Sequence, residues 1–191
     1  SVAAGDNSIL WDGKDVPVLR FLSSGEEGKV DFWVDVKESL EKMSFNGTLR
    51  STVLLGSVKN RLDTKVNSKF SINQKGFYYE GTFANSGPLP PMAGGLTTYT
   101  IIWELQNSTN DMENVKVKAQ LPEGVQTTGQ VVPASSKLSL SESRELEWDV
   151  GELAAGNQAV SVVFQVQFVP SASQRGSLAQ IMGQVKATGE D

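Results

Sequence analysis

Three observations predict an all-β fold, an immunoglobulin-like β-sandwich. Apolar and polar residues alternate with a period of two in several stretches, most clearly where Tyr99, Ile101, Trp103 and Leu105 interleave with Thr98, Thr100, Ile102 and Glu104. Turn signals rich in Gly, Pro, Asn and Asp punctuate the chain at short intervals. No stretch carries a sustained helical period, residues 38–43 offering at most one helical turn.

The elements follow from the same signals. In the organising stretch, 97–124, a strand over 97–106 gives way to polar turn residues between Asn107 and Asn114. A second alternating run follows, with Val115 and Val117 set against Lys116 and Lys118. Leu121-Pro122-Glu123-Gly124 ends it, because Pro122 has no N–H for a ladder and Gly124 can take a positive φ. Upstream, strands are expected near 69–74 and 77–84. The segment 85–95, NSGPLPPMAGG, holds three prolines and three glycines and reads as a loop. Downstream, strands are expected near 125–132, 137–141, 145–150, 159–168 and 178–187. Trp103 and Trp148 are the expected core centrepieces, each able to bury on the order of 200 Å².

The first part of the chain reads as a partial copy of the last. ILWD at 9–12 matches LEWD at 146–149, and each is followed by a short Gly-containing apolar segment. Next comes an alternating strand, with Val30, Phe32, Val34 and Val36 in the first case and Val160, Val162, Phe164, Val166 and Phe168 in the second. LLGSVK at 54–59 then matches IMGQVK at 181–186. Internal repetition of this kind predicts an array of modules. Residues 1–63 are expected to be the C-terminal half of a preceding repeat and residues 64–191 one complete repeat. Half a sandwich leaves strand edges uncovered, so residues 1–63 are expected either to dock on the complete unit, or to contact neighbouring repeats or identical chains, including by strand complementation between chains, or to be a piece cut from a longer array.

Composition narrows the function. The 191 residues carry a net charge of −5 with scattered basic residues, which argues against nucleic-acid binding. There is no histidine and no cysteine, which removes the commonest general base, the commonest transition-metal ligand, and all disulfide or thiolate chemistry. No run of about 18 apolar residues predicts a membrane span. No signal peptide or tail anchor is read, as expected for a mature or trimmed piece of a secreted protein.

The order of motifs resembles a known family. A Thr-Tyr-Thr-Ile strand precedes an Asn-rich turn and a Val-Lys-Val strand ending in Leu-Pro-Glu-Gly-Val. Then come Trp-Asp-Val-Gly-Glu-Leu-Ala-Ala-Gly and an alternating Val/Phe strand. Together they resemble the bacterial surface repeat called domain of unknown function eleven. The matching positions are Tyr99, Asn107, Asn110, Leu121, Pro122, Gly124, Trp148, Gly151, Leu153 and Gly156, and the likeness covers 71–187. The family often has an aspartate two residues before the Leu-Pro pair; Ala119 stands there, so a cation or crosslink role tied to that acid does not carry over. The resemblance implies an extracellular or cell-surface immunoglobulin-like repeat with a structural or adhesive role and no catalysis.

Few candidate sites emerge. Asn107, Asn110, Asp111 and Glu113, with Asn114, gather the hard oxygen donors that calcium needs, although Asn and Asp equally favour turns. No other cofactor is expected. Tyr78 and Tyr79, with Phe77 and Phe83, offer aromatic faces for carbohydrate stacking, although one of each alternating pair is more often core, and the proline-rich loop 88–91 reads equally as a peptide-like contact segment. Sequons begin at Asn46 and Asn107. Glu145, Glu147 and Asp149 share one strand face and are the carboxylates a glycosidase would use, but Leu146 and Trp148 opposite them make a solvated outer face the simpler reading. A Lys–Asn crosslink would draw on Lys69, Lys116 or Lys118, of which the last two alternate outward. The expected function is therefore a non-enzymatic structural or adhesive module, with carbohydrate binding through exposed aromatics as the alternative.

Overall fold

The computed structural model describes residues 8–33, 35, 47–68, 70–156 and 158–191. Two compact units divide it, 1–37 and 38–191. Among the described residues of the first, Asp12 opens a turn by accepting the Lys14 and Asp15 amides on Oδ1. A single 3-10 turn, Pro17–Leu19, follows. Trp11 is half-buried and meets Phe32 at 5.3 Å. The strand expected from Val30 is not formed at 30–33, where Trp33 is exposed, since alternation alone makes no strand without a partner ladder. Val34, Val36, the helical turn expected at 38–43 and the Asn46 sequon lie outside the described residues, as does Lys69.

The second unit is an antiparallel sandwich with a separate hairpin. The hairpin pairs β1 (Thr48–Leu55) with β2 (Val58–Lys65). The first sheet has the order β3 (Phe70–Phe77), β4 (Thr97–Asn107), β9 (Ala159–Phe168), β6 (Val125–Val132). The second has the order β10 (Lys186–Glu190), β5 (Met112–Gln120), β8 (Glu145–Leu153), β7 (Lys137–Leu140). Period-two alternation builds the core between them. Ile101, Trp103 and Leu105 of β4 and Val162, Phe164, Val166 and Phe168 of β9 face Val115 and Val117 of β5 and Leu146 and Trp148 of β8, all buried. Trp103 meets Phe164 edge-on at 5.0 Å, and its indole N–H donates to Gln74 Oε1 at 2.7 Å.

The Leu-Pro-Glu-Gly turn behaves as expected, with Gly124 at φ +81° and its Cβ position 2.8 Å from the Val169 carbonyl oxygen. Arg144 locks it, its guanidinium donating to the carbonyls of Leu121, Pro122 and Val125. Arg144→Ala is expected to cost about 2–3 kcal/mol of unfolding free energy, the range for charge-assisted bonds whose acceptors lose their partner. Urea denaturation followed by circular dichroism checks this, and Arg144→Lys should restore less than half, since one ammonium cannot reproduce a planar fork.

Three segments depart from expectation. Residues 77–84 do not form a second strand: β3 continues through Gly76 to Phe77, and Asn85 Nδ2 then takes the Phe77 and Tyr78 carbonyls in place of a ladder. Residues 178–185 are not strand either. They plug Met182 into the core and bring the Gly183 amide onto the Gln120 carbonyl at 2.9 Å, so β10 starts only at Lys186. The segments equated as repeats differ locally. Leu54–Lys59 is a hairpin tip, whereas 181–185 belongs to this core-facing plug and Lys186 opens β10, and Trp11 lies outside any strand, whereas Trp148 lies in β8.

Candidate functional site

The hairpin is built from two eight-residue strands joined by Gly56-Ser57, with Gly56 at φ +58°, a conformation suited to tight two-residue turns. Cross-strand partners share a face. One face carries Leu49 with Thr64, Ser51 with Leu62, Val53 with Asn60, and Leu55 with Val58. The other carries Thr48 with Lys65, Arg50 with Asp63, Thr52 with Arg61, and Leu54 with Lys59. The hairpin is thus amphipathic, apolar on one side and basic on the other. Its apolar side is bare, with Leu49, Val53, Leu55, Val58 and Leu62 between 39% and 69% exposed. Among the described strands, β1 and β2 pair only with each other.

The base of this hairpin is clamped to the sandwich by one side chain. Asn110, buried between β4 and β5, accepts the Gly47 amide on Oδ1 at 2.9 Å and donates through Nδ2 to the Val66 carbonyl and to Asp191 Oδ2. Gly47 and Val66 bracket the hairpin and bond each other. The Asn110 backbone N–H donates to the Ser68 hydroxyl oxygen and the Ser68 N–H to Asp191 Oδ2, both under 3 Å. The Asn110 side-chain Nδ2–H and the Ser68 N–H hold the Asp191 carboxyl below its usual range.

The remaining sequence candidates have other surroundings. Asn107 is fully buried and directs Nδ2 at the carbonyls of Asn110, Leu153 and Ala154, while its Oδ1 meets no partner among the described residues. Asp111 Oδ1 accepts the Ala155 amide. Glu113 sits opposite Glu190 in the β5–β10 ladder. The four oxygen-donor residues therefore serve different neighbours, and among the described residues no group of three or more acidic side chains is placed to hold a metal ion. Tyr78 donates its hydroxyl to the Gly87 carbonyl and stands edge-on to Tyr79 at 4.8 Å and to Tyr99 at 5.9 Å. Tyr79 is 83% exposed, whereas Phe77 and Phe83 are half-buried.

No family model matches this sequence, and no curated protein does. Among solved structures, the chain is similar to the chitin-binding domain of Chi18aC from Streptomyces coelicolor, determined in solution, at 12% identity and a TM-score of 0.37. That likeness covers 65% of this chain and 92% of that one.

The β8 carboxylates are engaged in a cross-strand ladder. Lys118 pairs with Glu145 and Glu147 at 2.9 Å, Lys116 with Glu147 at 3.2 Å, and Lys137 approaches Asp149 at 4.0 Å. Leu146 and Trp148 lie on the opposite, buried face. Hydrogen bonds from Lys118 and then Lys116 depress the Glu147 carboxyl, and bonds to Glu145 and Glu147 raise the Lys118 ammonium. A depressed carboxyl contributes stability above its unfolded value, about 4.3, and loses it as pH falls through the folded value. A raised ammonium contributes below about 10.4 and loses it above the folded value. Stability should therefore fall on both sides of the neutral range, and Glu147→Gln should flatten the acid limb. Urea midpoints measured from neutral pH down to pH near 3 (roughly one unit below the unfolded carboxylate value) check this.

What sequence reasoning missed is the hairpin itself. Its signal was present: Leu49, Ser51, Val53 and Leu55 alternate, and a Gly-Ser pair separates two eight-residue runs. Among the described residues, no helix is long and apolar enough to cross a membrane.

Proposed function

We propose that this chain is a non-enzymatic structural module of an extracellular or cell-surface protein, associating with neighbouring repeats or identical chains through the 48–65 hairpin. The observation that carries the reading is the bare apolar face of an otherwise rigidly anchored hairpin. A two-stranded hairpin is marginal in water on its own, and an uncovered sheet face with free edges gains stability when another chain covers it. The lysine-engaged carboxylates of β8 support a non-catalytic role. The resemblance of the motif order to bacterial surface repeats supports the extracellular setting.

Sedimentation velocity tests it. The average mass should climb above the 20.6 kDa of one chain as concentration rises from micromolar to near-millimolar. Leu55→Lys with Leu62→Lys should abolish the climb while leaving the melting curve of the sandwich in place. A concentration-independent monomer overturns the proposal. A second reading, carbohydrate stacking, is favoured by the outward ring of Tyr79 braced by Tyr78. Glycan-array binding lost in Tyr79→Ala supports it, and a blank array removes it.

A further inference from the structure

The face of the hairpin opposite its leucines is a surface of its own. Register sets Arg50, Lys59, Arg61 and Lys65, all the basic side chains of the two strands, on that one side of the ladder, with Asp63 among them. Every residue of β1 and β2 is exposed, so this side lies open. Its charge runs against that of the whole molecule, with four basic groups and one acidic group in a chain of net charge −5. Asp63 organises the centre of the row. Its Oδ1 accepts the Nε–H groups of Arg50 and Arg61 at 3.0 Å each, and its Oδ2 accepts Arg61 Nη2 at 2.8 Å. Arg50 gives only its Nε–H, so among the described residues its two terminal amino groups meet no acceptor. The hairpin's ion pairs are those two, which leaves Lys59 and Lys65 outside any among the described residues, Lys65 lying in the longer-range field of Asp191.

We propose that this basic face binds a linear anionic polysaccharide, laid along β2 with its acidic groups on Lys59, Arg61, Arg50 and Lys65. Charge complementarity carries the proposal, and the layout of the face selects the polymer. Alternate residues of a strand stand about 7 Å apart, so the row from Lys59 to Lys65 extends over about 20 Å. Such a row meets repeated negative groups on an extended chain, whereas a face with every side chain exposed encloses no single small anion. Asp63 holds the two guanidiniums side by side, and the free amino groups of Arg50 form a fork suited to a sulfate, phosphate or carboxylate.

Between the charges the face carries Thr48, Thr52 and Leu54 and no aromatic ring. The threonine hydroxyls can bond sugar hydroxyls, while the bases of a single-stranded nucleic acid would find nothing to stack on. The acidic remainder of the chain repels a polyanion and confines the contact to the hairpin. Each exposed ion pair contributes little by itself, so binding is weak and sensitive to salt. The proposal is independent of the assembly read from the apolar side and of stacking on Tyr79.

Calorimetric titration with sulfated dextran at low salt tests it. The unaltered chain should bind, with a slope of about −2 to −4 in log K against log salt as up to about four counterions are released. Lys59→Glu with Lys65→Glu should weaken binding at least about tenfold. Lys14→Glu with Lys75→Glu, the same change in net charge at exposed positions off the hairpin, should leave it within about twofold. Equal losses in the two variants reduce the effect to net charge and overturn the site, as does an unaltered chain that fails to bind. Neutral dextran that binds equally well removes the electrostatic basis, and oligothymidylate that binds more tightly overturns the choice of a polysaccharide. Should the hairpin variant melt early, nitrogen-edited NMR of the unaltered chain gives an independent reading. The Nε–H signals of Arg50 and Arg61 should move first as sulfated dextran is added, and movement led by Arg20, Arg144 or Arg175 overturns the site.

Discussion

Replacing Trp103 with alanine is expected to remove about 3–5 kcal/mol of unfolding free energy, the range for deleting a large buried aromatic. Against the roughly 5–15 kcal/mol that holds a typical domain together, that leaves the sandwich close to unfolded at room temperature. Three losses coincide at this residue. Its side chain, fully buried at the centre of β4, leaves a void between the sheets. Its edge contact with Phe164 disappears. Gln74 Oε1, which accepts the indole N–H while Gln74 Nε2 donates to the Gly183 carbonyl, is left half-partnered between β3 and the 178–185 plug. Urea denaturation followed by far-ultraviolet circular dichroism measures the loss, and a value under about 1 kcal/mol would contradict the packing described. Gln74→Ala isolates the polar part and should cost about 1–3 kcal/mol by stranding the buried N–H.

Asn110→Ala is expected to cost as much as Arg144→Ala, with a different signature. One side-chain amide bonds Gly47, Val66 and Asp191. Removing it strands the buried Gly47 N–H and costs about 2–3 kcal/mol. The core clusters are untouched, so the damage concentrates at the hairpin base. Hydrogen exchange should speed up at the amides of Gly47, Val66 and the β1–β2 ladder, while the amides of β4 and β9 retain their relative protection. Asn110→Asp should fail as a rescue, since it loses the Nδ2 donor and sets a second carboxylate against Asp191. Equal exchange changes across the unit would refute a local clamp.

The two variants also mark what could be read in the sequence. Strands β4, β5, β6, β8 and β9 were legible because their alternation reflects burial on one face, as Trp103 and Trp148 show. Polar residues misled in one direction, reading as exposed where they are buried. Thr98, Thr100 and Gln165 alternate as a solvent face would, yet they are buried under the 78–95 loop, where Asn85 bonds Thr100 and Gln165. Asn107, Ser108, Thr109 and Asn110 read as part of a polar turn, yet all four are buried, Asn107 and Asn110 with amides bonded to backbone carbonyls. Hydrogen bonding to distant backbone carries no local sequence pattern, and so neither the clamp nor the covering loop was visible. The hairpin shows in its periodicity, but its tip shares Gly, Val and Lys at like spacing with the 181–186 segment and so reads as a landmark for repetition.

The bond between the Ser68 amide and the Asp191 carboxylate has an engineering consequence. It places the entrance and the exit of the sandwich proper side by side, at hydrogen-bond range. Residues 68–191 can accordingly be spliced into a surface loop of an unrelated host protein through short connectors, or re-opened at the 133–136 turn with the old termini fused, without stretching either framework.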